Sequence, residues 1–288
     1  MVKLLAEVAP AKINLYLRVT GRRADGYHEL DSIFVPVSLC DRVRLEIRPA
    51  AAPAVAIRCD LDTLPADGRN LAVRAATAFM AEFALPAQVM IDLHKEIPIG
   101  AGLGGGSSDA GAVLRMMAAL GRVTDHARLA RVALALGADV PFFLAPAPAR
   151  VGGIGERITP FEKFPQFPVV IAVPPVEVPT AAVFRALVPA QWSGPATAAD
   201  VHAIIDGRIT PEATVNDLAK VAIVKWPVIA ELKAAMQKAG AAAAAMTGSG
   251  SGVFGIFATP AAASRAAIQL RQLFPSARIF TATSYGAP

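Results

Sequence analysis

The sequence predicts an α+β fold in two lobes, and three observations carry that expectation. The first half is rich in strand-like runs: Leu4–Val8, Ile13–Val19, Ile33–Ser38 and Val43–Arg48, followed by Ala54–Cys59. A helix over Leu71–Phe83 then precedes a strand at Gln88–His94, which feeds a glycine-rich loop and a second helix. After Gly152-Gly-Ile-Gly-Glu156, a turn signal, strands at Val169–Val173, Ala243–Met246 and Gly252–Phe257 mix with helices near Val183, Val228–Lys238 and Ala261–Leu273. Hairpins and helices in irregular order suit α+β layers better than a regular βαβ alternation. A chain of 288 residues, 54% of them hydrophobic, can bury one large core or two modest ones.

The most informative stretch is Ile97-Pro-Ile-Gly-Ala-Gly-Leu-Gly-Gly-Gly-Ser-Ser-Asp-Ala-Gly-Ala-Val-Leu114. Five of the seven residues from Gly100 to Gly106 are glycine, against a usual share of about 7%. Ser107 and Ser108 lead into the apolar run Ala110–Met117, which reads as a buried helix preceded by serine. Strand, glycine loop and helix together make a phosphate cradle. Glycine lets the backbone approach an anion closely, and the unpaired N–H groups at a helix start favour negative charge. The plainer alternative is a tight structural turn.

Several phosphate-binding motifs are excluded by context. Gly100, Gly102 and Gly105 satisfy GxGxxG, and Asp125 lies about twenty residues on, as in the dinucleotide fingerprint. That fingerprint needs a strand soon after the helix, whereas Thr124–Leu136 is a second helical pattern. No GK[ST] follows the glycines, and the chain has no HRD and no DFG. A second run, Thr247-Gly-Ser-Gly-Ser-Gly252, also holds GxGxxG (Gly250, Gly252, Gly255), yet it lies between two strand-like pieces with no helix opening from it.

Net charge is +5, from 28 basic and 23 acidic residues. No basic block or basic–aromatic interleaving supports nucleic-acid binding. Mild basicity suits polyanionic ligands, and a solvated surface explains it equally well. Cys40 and Cys59 fit no metal or CxxC spacing and read as reduced, partly buried thiols; the four histidines also lack metal-ligand spacing. The N-terminus lacks the layout of a signal peptide, so the expected location is cytoplasmic. The uncharged stretch Ala239–Ser264 is long enough to span a bilayer, but glycines and Pro260 break it, and it reads as strand–loop–strand.

Pro98-Ile-Gly-Ala-Gly-Leu-Gly-Gly-Gly-Ser-Ser resembles the nucleotide loop of the GHMP kinases, the family of galactokinase, homoserine kinase and mevalonate kinase. Pro10-Ala-Lys-Ile-Asn-Leu-Tyr-Leu with Arg23-Ala-Asp-Gly-Tyr-His-Glu-Leu, Leu136-Gly-Ala-Asp-Val-Pro-Phe-Phe, and Met246-Thr-Gly-Ser-Gly-Ser-Gly-Val-Phe extend the resemblance in order from about Ala9 to Phe257. No motif matches from about Val188 to Pro211. The resemblance implies a two-lobed GHMP kinase fold. An N-terminal mixed α/β lobe, residues 1–155, would hold the nucleotide loop and catalytic residues, and a C-terminal ferredoxin-like lobe, 156–288, would close over substrate.

It also implies a small-molecule kinase that uses ATP with Mg²⁺ and phosphorylates an alcohol of a cytidine-diphosphate-linked methylerythritol in non-mevalonate isoprenoid synthesis. Pro98, Ile99, Gly100, Ala101, Gly102, Leu103, Gly104, Gly105, Gly106, Ser107 and Ser108 would cradle the nucleotide. Asn70 resembles the family's adenine-side asparagine, although a helix N-cap role alone explains it. By spacing, Asp139 is a solvated carboxylate beyond a helix and Lys12 a strand lysine on the solvent face. The resemblance instead makes Asp139 the general base and Lys12 the cation that keeps it ionised. Tyr27, His28 and Phe184 would hold cytosine, and Asn14 and Thr180 the erythritol or its phosphates. Mg²⁺ would lie near Ser107, Ser108 or Asp109, with its ligand set open. Expected partners are the small-molecule substrate, no nucleic acid and no membrane, in a monomer or weak homodimer. Two other readings stay open: a GHMP kinase for homoserine or a mevalonate-type alcohol, and a nucleotide-binding sensor without catalysis.

Overall fold

The computed structural model describes residues 2–287. In chain order these form strands β1 (Lys3–Arg22), β2 (His28–Pro49) and β3 (Ala54–Cys59), helix α1 (Leu71–Phe83), strand β4 (Ala87–His94), and helices α2 (Gly105–Gly121) and α3 (His126–Leu136). Strands β5 (Ala149–Gly153), β6 (Arg157–Pro160) and β7 (Pro168–Val173) follow, then helices α4 (Thr180–Ala186), α5 (Ala198–Ile205), α6 (Ala219–Lys225) and α7 (Val228–Lys238). Strands β8 (Ala243–Met246) and β9 (Val253–Ile256), helix α8 (Pro260–Leu273) and strand β10 (Arg278–Thr283) complete the chain.

Four of the expected strands are in fact two. Leu4–Val8 and Ile13–Val19 belong to β1, and Ile33–Ser38 and Val43–Arg48 to β2. Lys12 and Asn14 between and within those runs are buried, so the alternation that marks a strand with one wet face is lost there. The chain divides into two compact units, to both of which these long strands contribute: residues 1–11, 40–97 and 104–146 in the first, and 12–39, 98–103 and 147–288 in the second.

In the first unit β4 pairs antiparallel with the later half of β2, Arg42 opposite His94, and parallel with β3. Helices α1 and α2 pack on each other and close the core through Ala72, Ala76, Phe79, Ala112, Val113 and Met117. Helix α1 starts where Asn70 Oδ1 accepts from Ala72 N–H at 3.0 Å, and ends at Ala84 in the left-handed region. Gly111 of α2 lies so close to Phe143 that a Cβ there would fall 2.5 Å from Phe143 Cβ. Asp125, the acidic residue of the apparent dinucleotide fingerprint, instead caps α3, accepting from Arg128 N–H at 2.8 Å.

In the second unit β2 pairs with β5, Leu30 opposite Gly153, and β5 with β6. A separate sheet has the order β10-β7-β9-β8, every pair antiparallel. Counting from β7, the order is fourth, first, third, second, with α7 on β8 and β9 and α8 on β7 and β10: the ferredoxin-like arrangement expected from the sequence. Its core joins Val170, Ala172, Leu232, Met236, Phe257 and Leu270.

Two buried carboxylates of this unit hold the segment that matched no motif. Asp217 accepts from Val19 N–H (2.8 Å), Ser193 N–H (2.9 Å), Ser193 Oγ (2.5 Å) and Lys220 Nζ (2.8 Å). Asp31 accepts from Arg150 Nε and Nη2, Tyr16 Oη and Ala196 N–H. Burial pushes both carboxyls up, but these donors outweigh it and hold both below the usual carboxylate range. Depressed in the folded state, such groups contribute stability that is complete above the ordinary carboxylate pKa and is lost as pH falls from there through the lowered folded-state value. Asp31→Asn is therefore expected to flatten the fall of Tm below about pH 4. A slope equal to wild type in thermal melts across that range would remove Asp31 from the acid response.

Candidate active site

The glycine run begins in the second unit, where Pro98, Ala101 and Leu103 are buried and Ile99 and Gly100 exposed. Gly100, Gly102 and Gly104 all have φ near +70°, the left-handed region that favours glycine. The run ends in the first unit at α2. Its N-cap is Gly104, so Ser107 and Ser108 do not precede the helix but form its first turn. The left-handed glycine turns the chain into the helix without a side-chain cap. Ser108 N–H already bonds Gly104 C=O at 2.8 Å, and the N–H groups ahead of it have no partner within the helix.

In the second unit the loop is held by the other glycine run. Thr247 Oγ donates to Gly102 C=O at 3.2 Å, and Gly252 N–H to Ala101 C=O at 3.0 Å. A Cβ on Gly102 would fall 2.2 Å from Thr247 O, one on Gly252 2.5 Å from Ala101 O, and one on Gly248 2.9 Å from Gly102 O. Backbone meets backbone here because neither side carries a side chain. The sequence reading matched the second run to the family but gave its glycines no part; its strand–loop–strand setting was the available signal.

Strand β1 passes the same loop. Lys12, 3% exposed, donates its N–H to Leu103 C=O at 2.9 Å, and its ammonium bonds Asn14 Oδ1 at 2.5 Å and lies 4.7 Å from the centre of the Phe34 ring. The solvent-face alternative for Lys12 is thereby excluded. Asn14 Oδ1 also accepts from Gly248 N–H (2.8 Å) and Thr247 Oγ (3.2 Å), while its Nδ2 donates to Ser32 Oγ (3.0 Å). Lys12, Asn14 and both glycine runs thus share one hydrogen-bonded cluster.

Elsewhere in the second unit, Tyr27 is exposed on the turn closed by Arg23, and the His28 ring lies 5.2 Å from Phe184, tilted by 30°. Burial and the Arg22 cation hold the imidazole below its ordinary range. Thr180, the first residue of α4, is exposed, and its hydroxyl bonds Ser249 Oγ at 2.7 Å.

The first unit holds Asn70, Asp139 and the α2 end of the loop. Asn70 is 7% exposed; besides capping α1, its Nδ2 donates to Pro65 C=O at 3.1 Å, leaving one N–H and one lone pair for a ligand. The cap reading is therefore right, and it does not use up the side chain. Asp139 lies half-buried between the end of α3 and the 3₁₀ turn Pro141–Leu144. Asp109, one residue beyond Ser108, was singled out only as a neighbour of Mg²⁺. The structure shows it sharing Lys95 with Asp41: Lys95 Nζ bonds Asp109 Oδ2 at 2.7 Å and also Asp41, whose other oxygen takes the N–H groups of Glu96 (2.7 Å) and Ile97 (2.8 Å). Burial and the nearby Asp41 outweigh Lys95 and push Asp109 up to about 7. Ser108 Oγ and Asp109 Oδ1 are buried without a hydrogen-bond partner.

Cys40 and Cys59 form no disulfide and are half-buried. Among the described residues no cluster of three or more His, Cys, Asp or Glu could hold a metal, and no helix is long and apolar enough to cross a membrane.

Residues 70–146 match the family described as GHMP kinases N terminal domain, and residues 207–276 match GHMP kinases C terminal. A protein of Anaeromyxobacter dehalogenans named 4-diphosphocytidyl-2-C-methyl-D-erythritol kinase is 43% identical over 271 residues, covering 93% of this chain and 85% of that one. The crystal structure of a 4-(cytidine 5'-diphospho)-2C-methyl-D-erythritol kinase superposes with a TM-score of 0.83 at 38% identity, covering 97% of this chain and 99% of the other. Homoserine kinase from Cytophaga hutchinsonii, 17% identical with a TM-score of 0.74 over 96% of this chain and 94% of its own, shares the fold. A glycine-rich loop, a buried lysine against it, and likeness that runs through both compact units agree on one assignment: the chain belongs to the GHMP kinase family, in the group that holds the 4-diphosphocytidyl-2-C-methyl-D-erythritol kinases.

Proposed function

We propose that this kinase transfers the γ-phosphoryl group of ATP to the 2-hydroxyl of 4-diphosphocytidyl-2-C-methyl-D-erythritol, giving the 2-phosphate and ADP in the cytoplasm. The observation that carries the reading is Lys12, a lysine buried to 3% exposure on a strand whose own backbone bonds the glycine loop. Burying an ammonium is costly unless charge or hydrogen bonds compensate it, so a sensor without catalysis has little reason to hold one there. The names of relatives about 40% identical over most of the chain favour the cytidyl acceptor over homoserine or mevalonate.

In this reading residues 98–108 cradle the phosphates through backbone N–H groups, and Asn70 meets adenine with its remaining donor and lone pair. Asp139 takes the proton of the attacking hydroxyl as the new O–P bond forms and the bond to the ADP oxygen breaks. Lys12 polarises the hydroxyl. Asn14 and Thr180 orient the erythritol or its phosphates, while Tyr27, His28 and Phe184 hold cytosine. Hard oxygen donors on the first turn of α2 suit Mg²⁺: Ser108 Oγ and Asp109 Oδ1 are buried without partners, and Ser107 adjoins them. When bound, Mg²⁺ supplies charge neutralisation on the ATP phosphates. Residues 1–155 would thus carry nucleotide and catalysis, and 156–288 complete the substrate side.

A coupled assay of ADP release with the cytidyl substrate beside homoserine and mevalonate tests the reading. Turnover confined to the cytidyl substrate supports it; turnover with either other alcohol alone overturns it. Tyr27→Ala should weaken cytidyl-substrate binding by about 1–3 kcal/mol, the scale of one base–aromatic stack, with ATP binding unchanged in parallel titrations. Equal weakening of both ligands would place Tyr27 elsewhere.

A further inference from the structure

Trp192 lies in the segment that no motif covers, yet its chain neighbours tie it into the second unit. It follows the 3₁₀ turn Pro189–Gln191 and is flanked by anchors on both sides. Lys220 Nζ donates to Gln191 C=O at 2.6 Å, Ser193 is bound to Asp217 through both its N–H and hydroxyl, and Gly194 N–H donates to Val19 C=O at 3.2 Å. Ala196 N–H, bonded to Asp31 at 2.7 Å, pins the next turn of chain. A short irregular segment normally keeps much of its freedom; this one spends two buried carboxylates and a lysine on losing it.

What those anchors hold in place is an indole against His28. The Trp192 ring meets the imidazole edge-on, with centroids 5.9 Å apart and planes at 90°, while Phe184 lies 5.2 Å from the same ring on a shallow tilt. Two aromatic contacts at such different angles leave the imidazole one plane to occupy. The indole Nε1–H is buried and has no hydrogen-bond partner. A buried indole usually finds one, so packing against His28, and not hydrogen bonding, is what this ring contributes.

We propose that Trp192 is a specificity-determining residue for the nucleoside end of the substrate: it fixes the plane of His28 and fills the space beside it, so that a single-ring base is accepted and a two-ring base refused. This rests on the proposed role of Tyr27, His28 and Phe184 in holding cytosine. Trp192 acts through His28 and through excluded volume; it is a positioning residue and takes no part in phosphoryl transfer.

The test compares Trp192→Ala and Trp192→Phe with the wild-type enzyme in steady-state kinetics, with CDP and GDP as competitive inhibitors against the cytidyl substrate. Trp192→Ala is expected to raise KM for that substrate about tenfold, the upper end for losing one aromatic contact. The preference for CDP over GDP should shrink by a similar factor, with kcat and the KM for ATP unchanged. Trp192→Phe, which keeps an aromatic wall, should restore most of the preference, and it carries the test if the alanine variant does not fold. An unchanged CDP-to-GDP ratio in Trp192→Ala overturns the proposal, as does a parallel loss of kcat and of both KM values. Failure of CDP to inhibit the wild-type enzyme would instead overturn the cytidyl reading itself, and this inference with it.

Discussion

Asp139→Asn is expected to lower kcat by about 10²–10⁴, the range for removing a general base, with nucleotide affinity nearly unchanged. The asparagine keeps the size and one oxygen of the side chain, so the half-buried position before the Pro141–Leu144 turn should still be filled. What it loses, under the proposed mechanism, is the charge that accepts the proton of the attacking hydroxyl. In a loose phosphoryl-transfer transition state that acceptance comes late, so alignment and the final proton transfer suffer, and binding of ATP does not. Lys12→Ala should lower kcat as well. The double variant should be little worse than the more damaged single one, because groups acting as a unit are not additive. Steady-state kinetics alongside ATP titration of all three proteins decide the matter. Full turnover in Asp139→Asn would reject the base assignment, and a double variant showing the product of two independent losses would separate the pair.

Gly102→Ala is expected to destabilise the protein by roughly 3–5 kcal/mol, at the upper end for one substitution. Two costs combine. At φ +72° any L side chain is strained, by about 1–2 kcal/mol. The added Cβ would also fall 2.2 Å from the carbonyl oxygen of Thr247, which accepts from Gly250 N–H and belongs to a residue whose own N–H donates to Gly252 C=O. A helical control separates these costs from the loss of a glycine as such. Gly106, in the first turn of α2, would place a Cβ 3.5 Å from Leu71 Cδ1, an ordinary contact, so Gly106→Ala should be neutral or stabilising by about 0.5–1 kcal/mol. Thermal and denaturant unfolding of both variants provide the measurement. A Gly102→Ala protein as stable as wild type would mean that the two glycine runs do not meet as described.

The helices were legible where the pattern was local. Leu71–Phe83 and Val228–Lys238 match α1 and α7, because apolar periodicity and flanking cap or breaker residues are written within each segment. The helical pattern after Thr124 also materialised, as α3. Strand joins were illegible at Ala9–Lys12, where a strand stays continuous because its residues are buried from both sides by parts of the chain far away in sequence. Helix α5 and the anchors on Asp31 and Asp217 were also missed, since both carboxylates find most of their donors more than twenty residues away or on another strand. Of the candidate site, the first glycine run was plain from composition, and Lys12 and Asn14 were named only through family resemblance. Their common cluster with Thr247 and Gly248 spans more than two hundred residues of chain, and no local pattern encodes that. The Asp41–Lys95–Asp109 set escaped notice for the same reason.

The bond from Gly252 N–H to the carbonyl of Ala101 gives the proposed nucleotide loop a reporter outside itself. Exchange of that amide with solvent deuterium requires the two glycine runs to part, whatever happens elsewhere in the sheet of β7 to β10. Anything that stiffens the first run therefore slows exchange in the second. Addition of ATP should be visible as added protection at Gly252, in peptides that begin well over a hundred residues after the loop itself, and the free energy of that local opening becomes a direct measure of how firmly the loop is gripped.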